Sequence, residues 1–171
     1  MIIGIVVIAM LLLYGRGVAL AVIFFVLLIG TLLINLRVLG VPLNFVMWFE
    51  QRFERTGAKL PGWGSACYAI GTLIIVSFLS DINQIAAIIF ILAIGDGIST
   101  IIGRYGRIKI PYNKKKTIEG SVAFFISSLG CFYFIGAIAL PLALVGMIAE
   151  SLPAEDNLTI PIACTFFMVM I

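Results

Sequence analysis

The stretch Ile85-Ala-Ala-Ile-Ile-Phe-Ile-Leu-Ala-Ile-Gly-Asp-Gly-Ile-Ser-Thr-Ile-Ile-Gly103 decides how this chain folds. It is apolar throughout except for Asp96, and it is close to the roughly 20 residues that a helix needs to cross a bilayer. A carboxylate at that depth costs at least about 2.5 kcal/mol, so one that persists has a partner and a use. Gly95 and Gly97 flank it and allow another backbone or a ligand to come close. The densest basic stretch of the chain, Arg104 to Lys116, follows directly. An anionic residue at the membrane face beside a cationic loop is what a site for metal-bound phosphates requires.

The rest of the chain reads the same way. Of its 171 residues, 63% are hydrophobic and 11% charged, and the mean hydropathy is +1.23. Soluble domains are roughly half apolar and a quarter charged. The composition predicts an all-α integral membrane protein, a bundle of about six to seven transmembrane helices forming a single domain over 1–171. Apolar runs cover roughly 2–14, 18–35, 63–80, 85–102, 120–136, 137–149 and 158–171. The first lacks a charged leader and a clear cleavage motif, so it is read as a helix rather than a signal peptide. The first two are short enough to form a hairpin around Gly15-Arg16-Gly17.

Basic residues set the expected orientation. Six of the eleven lie in 103–118, and Arg37, Arg52, Arg55 and Lys59 lie in 36–61. The spans between them put both segments, and 150–157, on one side, expected to be cytoplasmic. The N-terminus falls on that side and the C-terminus opposite, and Arg16 alone breaks the pattern. Trp48, Phe49 and Phe53 fit either an amphipathic interfacial helix or a solvated linker. A largely lipid-embedded chain excludes nucleic acid as a partner; anionic headgroups or a nucleotide fit the basic loop. Cys67, Cys131 and Cys164 sit in apolar runs with no metal spacing, so they read as packing residues. The chain has no histidine. That removes the commonest general base and metal ligand.

Three clusters carry the candidate chemistry. The first is Gly95-Asp96-Gly97 with Gly103-Arg104-Tyr105-Gly106; Asp96, Thr100 and Gly103 are spaced to share a helix face. Close helix packing explains Gly103 equally well, but not Asp96. The second is Asn113-Lys-Lys-Lys-Thr-Ile-Glu-Gly-Ser121. Thr117 is a plausible N-cap, the helix start favours an anion, and Glu119 beside the lysines suits a magnesium ion bridging phosphate oxygens. The third is Glu150 to Asn157, with Glu150 ending an apolar run and Asp156-Asn157 placed to cap the next helix. Magnesium takes oxygen ligands and is held by one or two carboxylates plus substrate phosphates. No Walker loop and no protein-kinase signature occurs.

Taken in order, Gly95-Asp96-Gly97, Gly103-x2-Gly106, Lys115-Lys116-Thr117-Ile118-Glu119-Gly120-Ser121, Glu150 and Asp156-Asn157 resemble the dolichol kinase and phytol kinase family, which also includes CTP-dependent diacylglycerol kinases. The segment from Glu54-Arg55 to Pro61-Gly62 fits too, and the likeness covers about 50–165. The Lys-Lys-Thr-x-Glu-Gly motif is shared with phosphatidate cytidylyltransferases, but their basic C-terminal signature is absent. An early Arg-Lys…His motif frequent in the family is also absent.

The resemblance implies transfer of the γ-phosphoryl group of CTP to the hydroxyl of a membrane lipid alcohol, with Mg2+. In that reading Asp96 and Glu119 hold the metal, with Glu150 or Asp156 as third ligand or as base. Arg104, Lys115 and Lys116 clamp phosphates. Gly95, Gly97, Gly103, Gly106, Thr117, Gly120, Ser121 and Asn157 complete the nucleotide site. The expected partners are CTP, the lipid alcohol and the bilayer, and a homo-oligomer is compatible with the sequence. Two other readings stand: a cytidylyltransferase making a CDP-lipid, and a small non-catalytic transporter.

Overall fold

The computed structural model describes residues 1–41 and 62–171. The expected interfacial segment around Trp48, Phe49 and Phe53 and the motif from Glu54 to Pro61 therefore lie outside the described residues. The fold is almost wholly helical. Its elements are α1 (Ile2–Val38), α2 (Trp63–Phe78), α3 (Ile82–Phe90), a π-helical stretch (Ile91–Gly95), α4 (Asp96–Gly103), β1 (Lys109–Ile110), β2 (Asn113–Thr117), α5 (Ile118–Ser128), α6 (Phe132–Ile135), α7 (Ala139–Ser151) and α8 (Asp156–Met170).

Among the described residues, three helical runs are long and apolar enough to cross a membrane: Ile2–Val38, Ile82–Gly103 and Ile118–Ser151. The first and third double back on themselves. In α1 the backbone breaks at Gly15, at φ 81° and ψ 174°, a conformation open to glycine and strained for other residues. Contacts on either side show the reversal. Gly4 packs on Ala93 and Tyr68 and Gly62 on Ile34, whereas Arg16 reaches Val76 and Ser77 at the far end of α2. The two arms therefore run antiparallel, as the expected hairpin at Gly15-Arg16-Gly17 requires. The first arm spans about 20 Å at 1.5 Å per residue, short of the roughly 30 Å hydrocarbon core.

The third run turns at Gly136, where φ is 59°. Ser121 then meets Glu150, and Gly146 lies against Phe124. The chain thus makes helical passes that match the apolar runs in the sequence. One end of the bundle gathers Met1, Gly62, the 104–117 segment and the α7–α8 junction. The other end holds Gly15, Asp81 and Gly136.

Arg16 belongs to that second end for a local reason. Its guanidinium donates to the Val76 carbonyl at 2.8 Å and the Ser77 carbonyl at 2.9 Å, the free carbonyls that end α2. A cation there complements the helix dipole. Arg16 departs from the charge pattern because it caps a helix.

The core runs through Leu11, Ile75, Ile85, Ile88, Ile91, Phe124, Leu142 and Ile160, all fully enclosed. The lipid-facing sides remain apolar. One departure from an all-helical expectation is small: the 103–118 segment carries a two-stranded antiparallel hairpin, with Lys109 opposite Thr117 and Ile110 opposite Asn113.

Candidate functional site

The site forms where four elements end together. Its centre is Lys116 on β2. The ammonium lies 2.7 Å from Glu150 Oε1 at the end of α7 and 2.7 Å from Asp156 Oδ2 at the start of α8. Glu150 has only 2% of its side chain exposed. A charge so enclosed must be hydrogen-bonded as well as paired. Two hydroxyls complete it: Ser121 Oγ donates to Oε2 at 3.0 Å, and Ser99 Oγ lies 3.2 Å from Oε1. Asp156 Oδ1 is buried and has no hydrogen-bond partner among the described residues.

Burial alone would lower the pKa of Lys116. The charges and hydrogen bonds of Asp156 and Glu150 outweigh it and hold the pKa above its ordinary value. Lys116 is therefore a fixed cation at neutral pH.

Asp96 approaches the same cluster from α4, and its charge is felt at Asp156 and at Tyr68. The π-helical stretch Ile91–Gly95 ends immediately before it, and the Asp96 N–H bonds back to the Ile91 carbonyl. Such bulges are rare, cost helix geometry and cluster at functional sites. Here the bulge shifts the face that α4 presents. Ser99, three residues on, becomes the buried residue that meets Glu150, while Thr100 is half-buried. Sequence spacing drew attention to Thr100 and missed Ser99; the (i, i+3) relation to Asp96 was the available signal.

Glu119 takes a different position from the metal-binding role expected of it. Its Oε1 accepts from the Arg107 N–H at 2.8 Å and the Ile108 N–H at 3.2 Å. The carboxylate thereby pins the loop that leads into β1. Thr117 does cap α5, accepting from the Gly120 N–H at 3.2 Å. The expected cap at Asp156-Asn157 is not formed: α8 begins at Asp156 without a side-chain cap, because the Asp156 carboxylate goes to Lys116. Asn157 Nδ2 instead reaches the Gly64 carbonyl at 3.4 Å.

The glycines mark close approach. A Cβ on Gly120 would stand 3.2 Å from Gly103 Cα and 3.2 Å from the Ser99 carbonyl. One on Gly106 would meet Thr117 and Glu119, one on Gly95 would meet Ser128, and one on Gly97 would meet Met1. Gly103 and Gly120 thus let α4 and α5 touch and set the distance from Ser99 to Glu150. Arg104, Lys114 and Lys115 are exposed, so Lys115 and Lys116 do not act as an equivalent pair. The hairpin tip is fastened to the α7–α8 junction. The Tyr112 hydroxyl lies 2.8 Å from Ser151 Oγ, and Asn113 Nδ2 donates to the Ser151 and Leu152 carbonyls at 3.1 and 3.0 Å.

Among the described residues no three of Asp, Glu, His and Cys converge into an all-protein metal site. Magnesium shared with phosphates needs only one or two carboxylates. The oxygen of Asp156 that has no hydrogen-bond partner among the described residues fits that need, with Asp96 approaching from α4, whereas the oxygens of Glu119 and Glu150 accept hydrogen bonds from Arg107, Ile108, Lys116 and Ser121. Beside the same end, an apolar groove of about 270 Å³ runs between the second arm of α1 and α2, lined in part by Leu27, Gly30, Ile34 and Ala66.

No family model matches the chain, and no solved structure does. Curated proteins do match. The chain is 37% identical over 115 residues to an uncharacterised protein of Methanocaldococcus jannaschii, covering 64% of this chain and 60% of that one. It is 38% identical over 91 residues to the chloroplastic phytol kinase 1 of Arabidopsis thaliana, 40% of this chain and 30% of that one. It is 32% identical over 123 residues to a chloroplastic protein of Triticum aestivum named as a probable phytol kinase, 58% of this chain and 41% of that one. The chain thus spans between about a third and three fifths of the length of these relatives. These matches make the chain similar, over part of its length, to proteins named as phytol kinases, and the likeness includes the ordered Asp96, Lys116-Thr117-Ile118-Glu119-Gly120 and Glu150-to-Asn157 clusters.

Proposed function

We propose that the chain transfers the γ-phosphoryl group of a nucleoside triphosphate, CTP, to the hydroxyl of an isoprenoid or other membrane lipid alcohol. The observation that carries the reading is the Lys116–Glu150–Asp156 cluster at the end of an apolar bundle, in a chain similar to proteins named phytol kinases. Phosphoryl transfer asks the protein for positioning and charge neutralisation more than for covalent chemistry. Lys116 supplies a fixed cation, and Arg104 a second at the rim. Glu150 is saturated by Lys116, Ser99 and Ser121, so its role is to hold Lys116. Asp96 and Asp156 would hold Mg2+, which supplies charge neutralisation on the phosphates. The groove between α1 and α2, near the same end of the bundle, is where an apolar tail would lie, so that the hydroxyl would meet the nucleotide at the interface. The cytoplasmic face follows from the basic loop.

A cytidylyltransferase would share the Lys-Lys-Thr-x-Glu-Gly segment but break a different bond. The test is purified protein with CTP labelled at the γ- and α-phosphates, offered a panel of lipid alcohols and lipid phosphates. The reading requires a γ-labelled lipid phosphate and CDP. A CDP-lipid with pyrophosphate supports the alternative, and no turnover with any lipid in reconstituted, magnesium-loaded protein sinks both.

A further inference from the structure

We propose that the outward face of the Arg104–Thr117 segment is a docking surface for anionic lipid headgroups. Six cations lie in this segment. Lys116 alone turns inward, into the Glu150–Asp156 pair. Arg104, Arg107, Lys109, Lys114 and Lys115 are exposed, and none forms a salt bridge among the described residues. Among the described residues, Glu119 is the acid whose charge reaches this surface, at Lys109, and its carboxylate is turned onto the N–H groups of Arg107 and Ile108. The result is a face on which, among the described residues, five exposed cations outnumber one carboxylate.

Apolar side chains interleave with the charges. Tyr105 is 84% exposed, Tyr112 62% and Ile108 58%. Amphipathic aromatics and basic residues together are what the headgroup layer of an anionic leaflet favours. The hairpin is also mounted firmly, through Tyr112 and Asn113 to the α7–α8 junction. Holding its face against lipid would therefore fix the site's height at the bilayer surface. Each basic residue near an anionic surface contributes roughly fivefold in affinity, less once salt screens it.

The test needs no turnover, so it succeeds or fails independently of the proposed kinase activity. The 171-residue chain carrying Tyr105→Cys is labelled with an environment-sensitive dye; the native cysteines are buried and stay unlabelled. The protein is placed in phosphatidylcholine nanodiscs with or without phosphatidylglycerol, and quenching by headgroup-spin-labelled lipids of each class is compared. Preference for the anionic quencher is expected to be roughly tenfold at low salt, to fall at high salt, and to be largely lost in Arg107→Gln/Lys109→Gln/Lys114→Gln. Equal quenching by both lipids, or a preference unchanged in the triple variant, overturns the proposal. So does a triple variant that weakens CTP binding in purely zwitterionic discs, which would give these cations to the nucleotide. If that variant fails to fold, the salt titration of the wild-type background decides, and a salt-independent preference overturns the proposal.

Discussion

The Lys116 ammonium lies 2.7 Å from both Glu150 Oε1 and Asp156 Oδ2, so a single cation ties the end of α7 to the start of α8. These residues are 34 and 40 positions from Lys116 in the chain. The tie closes the polar end of the bundle and keeps Glu150 compensated where water is excluded. Removing one partner of a buried pair strands the other's charge, which costs about 3–5 kcal/mol. Lys116 keeps 19% of its side chain exposed, so Lys116→Met is expected near the low end, about 3 kcal/mol. Glu150→Gln should cost less, because Lys116 keeps Asp156 and the amide still meets Ser99 and Ser121. Unfolding in mixed micelles measures both. A Lys116→Met loss no larger than that of an exposed Lys114→Met control would mean the pair does not hold the fold.

The pH dependence of that contribution has a definite sign. The folded pKa of Lys116 is raised, so its stabilisation is complete below the unfolded value, about 10.5, and is lost as pH rises through the folded value. The stability gap between wild type and Lys116→Met should therefore stay constant from neutral pH to about 10 and shrink only above 10.5. A gap that closes between pH 7 and 9 would contradict the cation-centred cluster.

Asp96→Asn separates chemistry from folding. Asparagine keeps the shape and the start of α4 but removes the negative charge. If Asp96 binds the metal–phosphate, activity should fall at least roughly a hundredfold, while the variant inserts and unfolds like wild type. Near-normal turnover at saturating magnesium would remove Asp96 from the reaction.

The glycine seam makes a prediction about geometry. A Cβ at Gly120 would press on backbone atoms of Gly103 and Ser99 at 3.2 Å, and backbone cannot swing aside as a side chain can. Gly120→Ala should cost about 1–3 kcal/mol and lower activity by moving Ser99 away from Glu150. Gly17→Ala, with nothing described within 4 Å, should be neutral or slightly stabilising. Equal behaviour of the two would show that α4 and α5 do not touch through this seam.

Much of the architecture could be read from composition because lipid imposes a simple rule: apolar runs become helices. The reversal at Gly15 was marked by Gly15-Arg16-Gly17 between two apolar runs, and the turn at Gly136 falls where the run 120–136 ends. Asp96 announced itself as a charge out of place. Other features were hidden for physical reasons. The π-helical stretch Ile91–Gly95 has the same apolar composition as ordinary helix. The hairpin was masked by a two-residue strand and by a lysine run that reads as a topology signal. That Lys116 turns inward while Lys115 faces out depends on Glu150 and Asp156, whose proximity no local pattern encodes. Glu119 looked like a metal ligand because an acid beside lysines suits magnesium. Its use by the N–H groups of Arg107 and Ile108 depends on how the preceding loop folds back.

The final prediction concerns sidedness. The Tyr112–Ser151 and Asn113–Leu152 contacts require residues 104–117 and 150–157 to share one membrane face. The Asp81 turn must lie on the other, since α2 and α3 meet there. Single cysteines at Lys114 and Ala154, both exposed, should react with a membrane-impermeant maleimide from the same side of oriented vesicles. A cysteine at exposed Ser80 should react only from the opposite side. The buried native cysteines leave a low background. On the proposed orientation, the Lys114 face is the cytoplasmic one. Reaction of Lys114→Cys and Ala154→Cys from opposite sides would separate Lys116 from Glu150 and Asp156, and no site of the kind described here would remain.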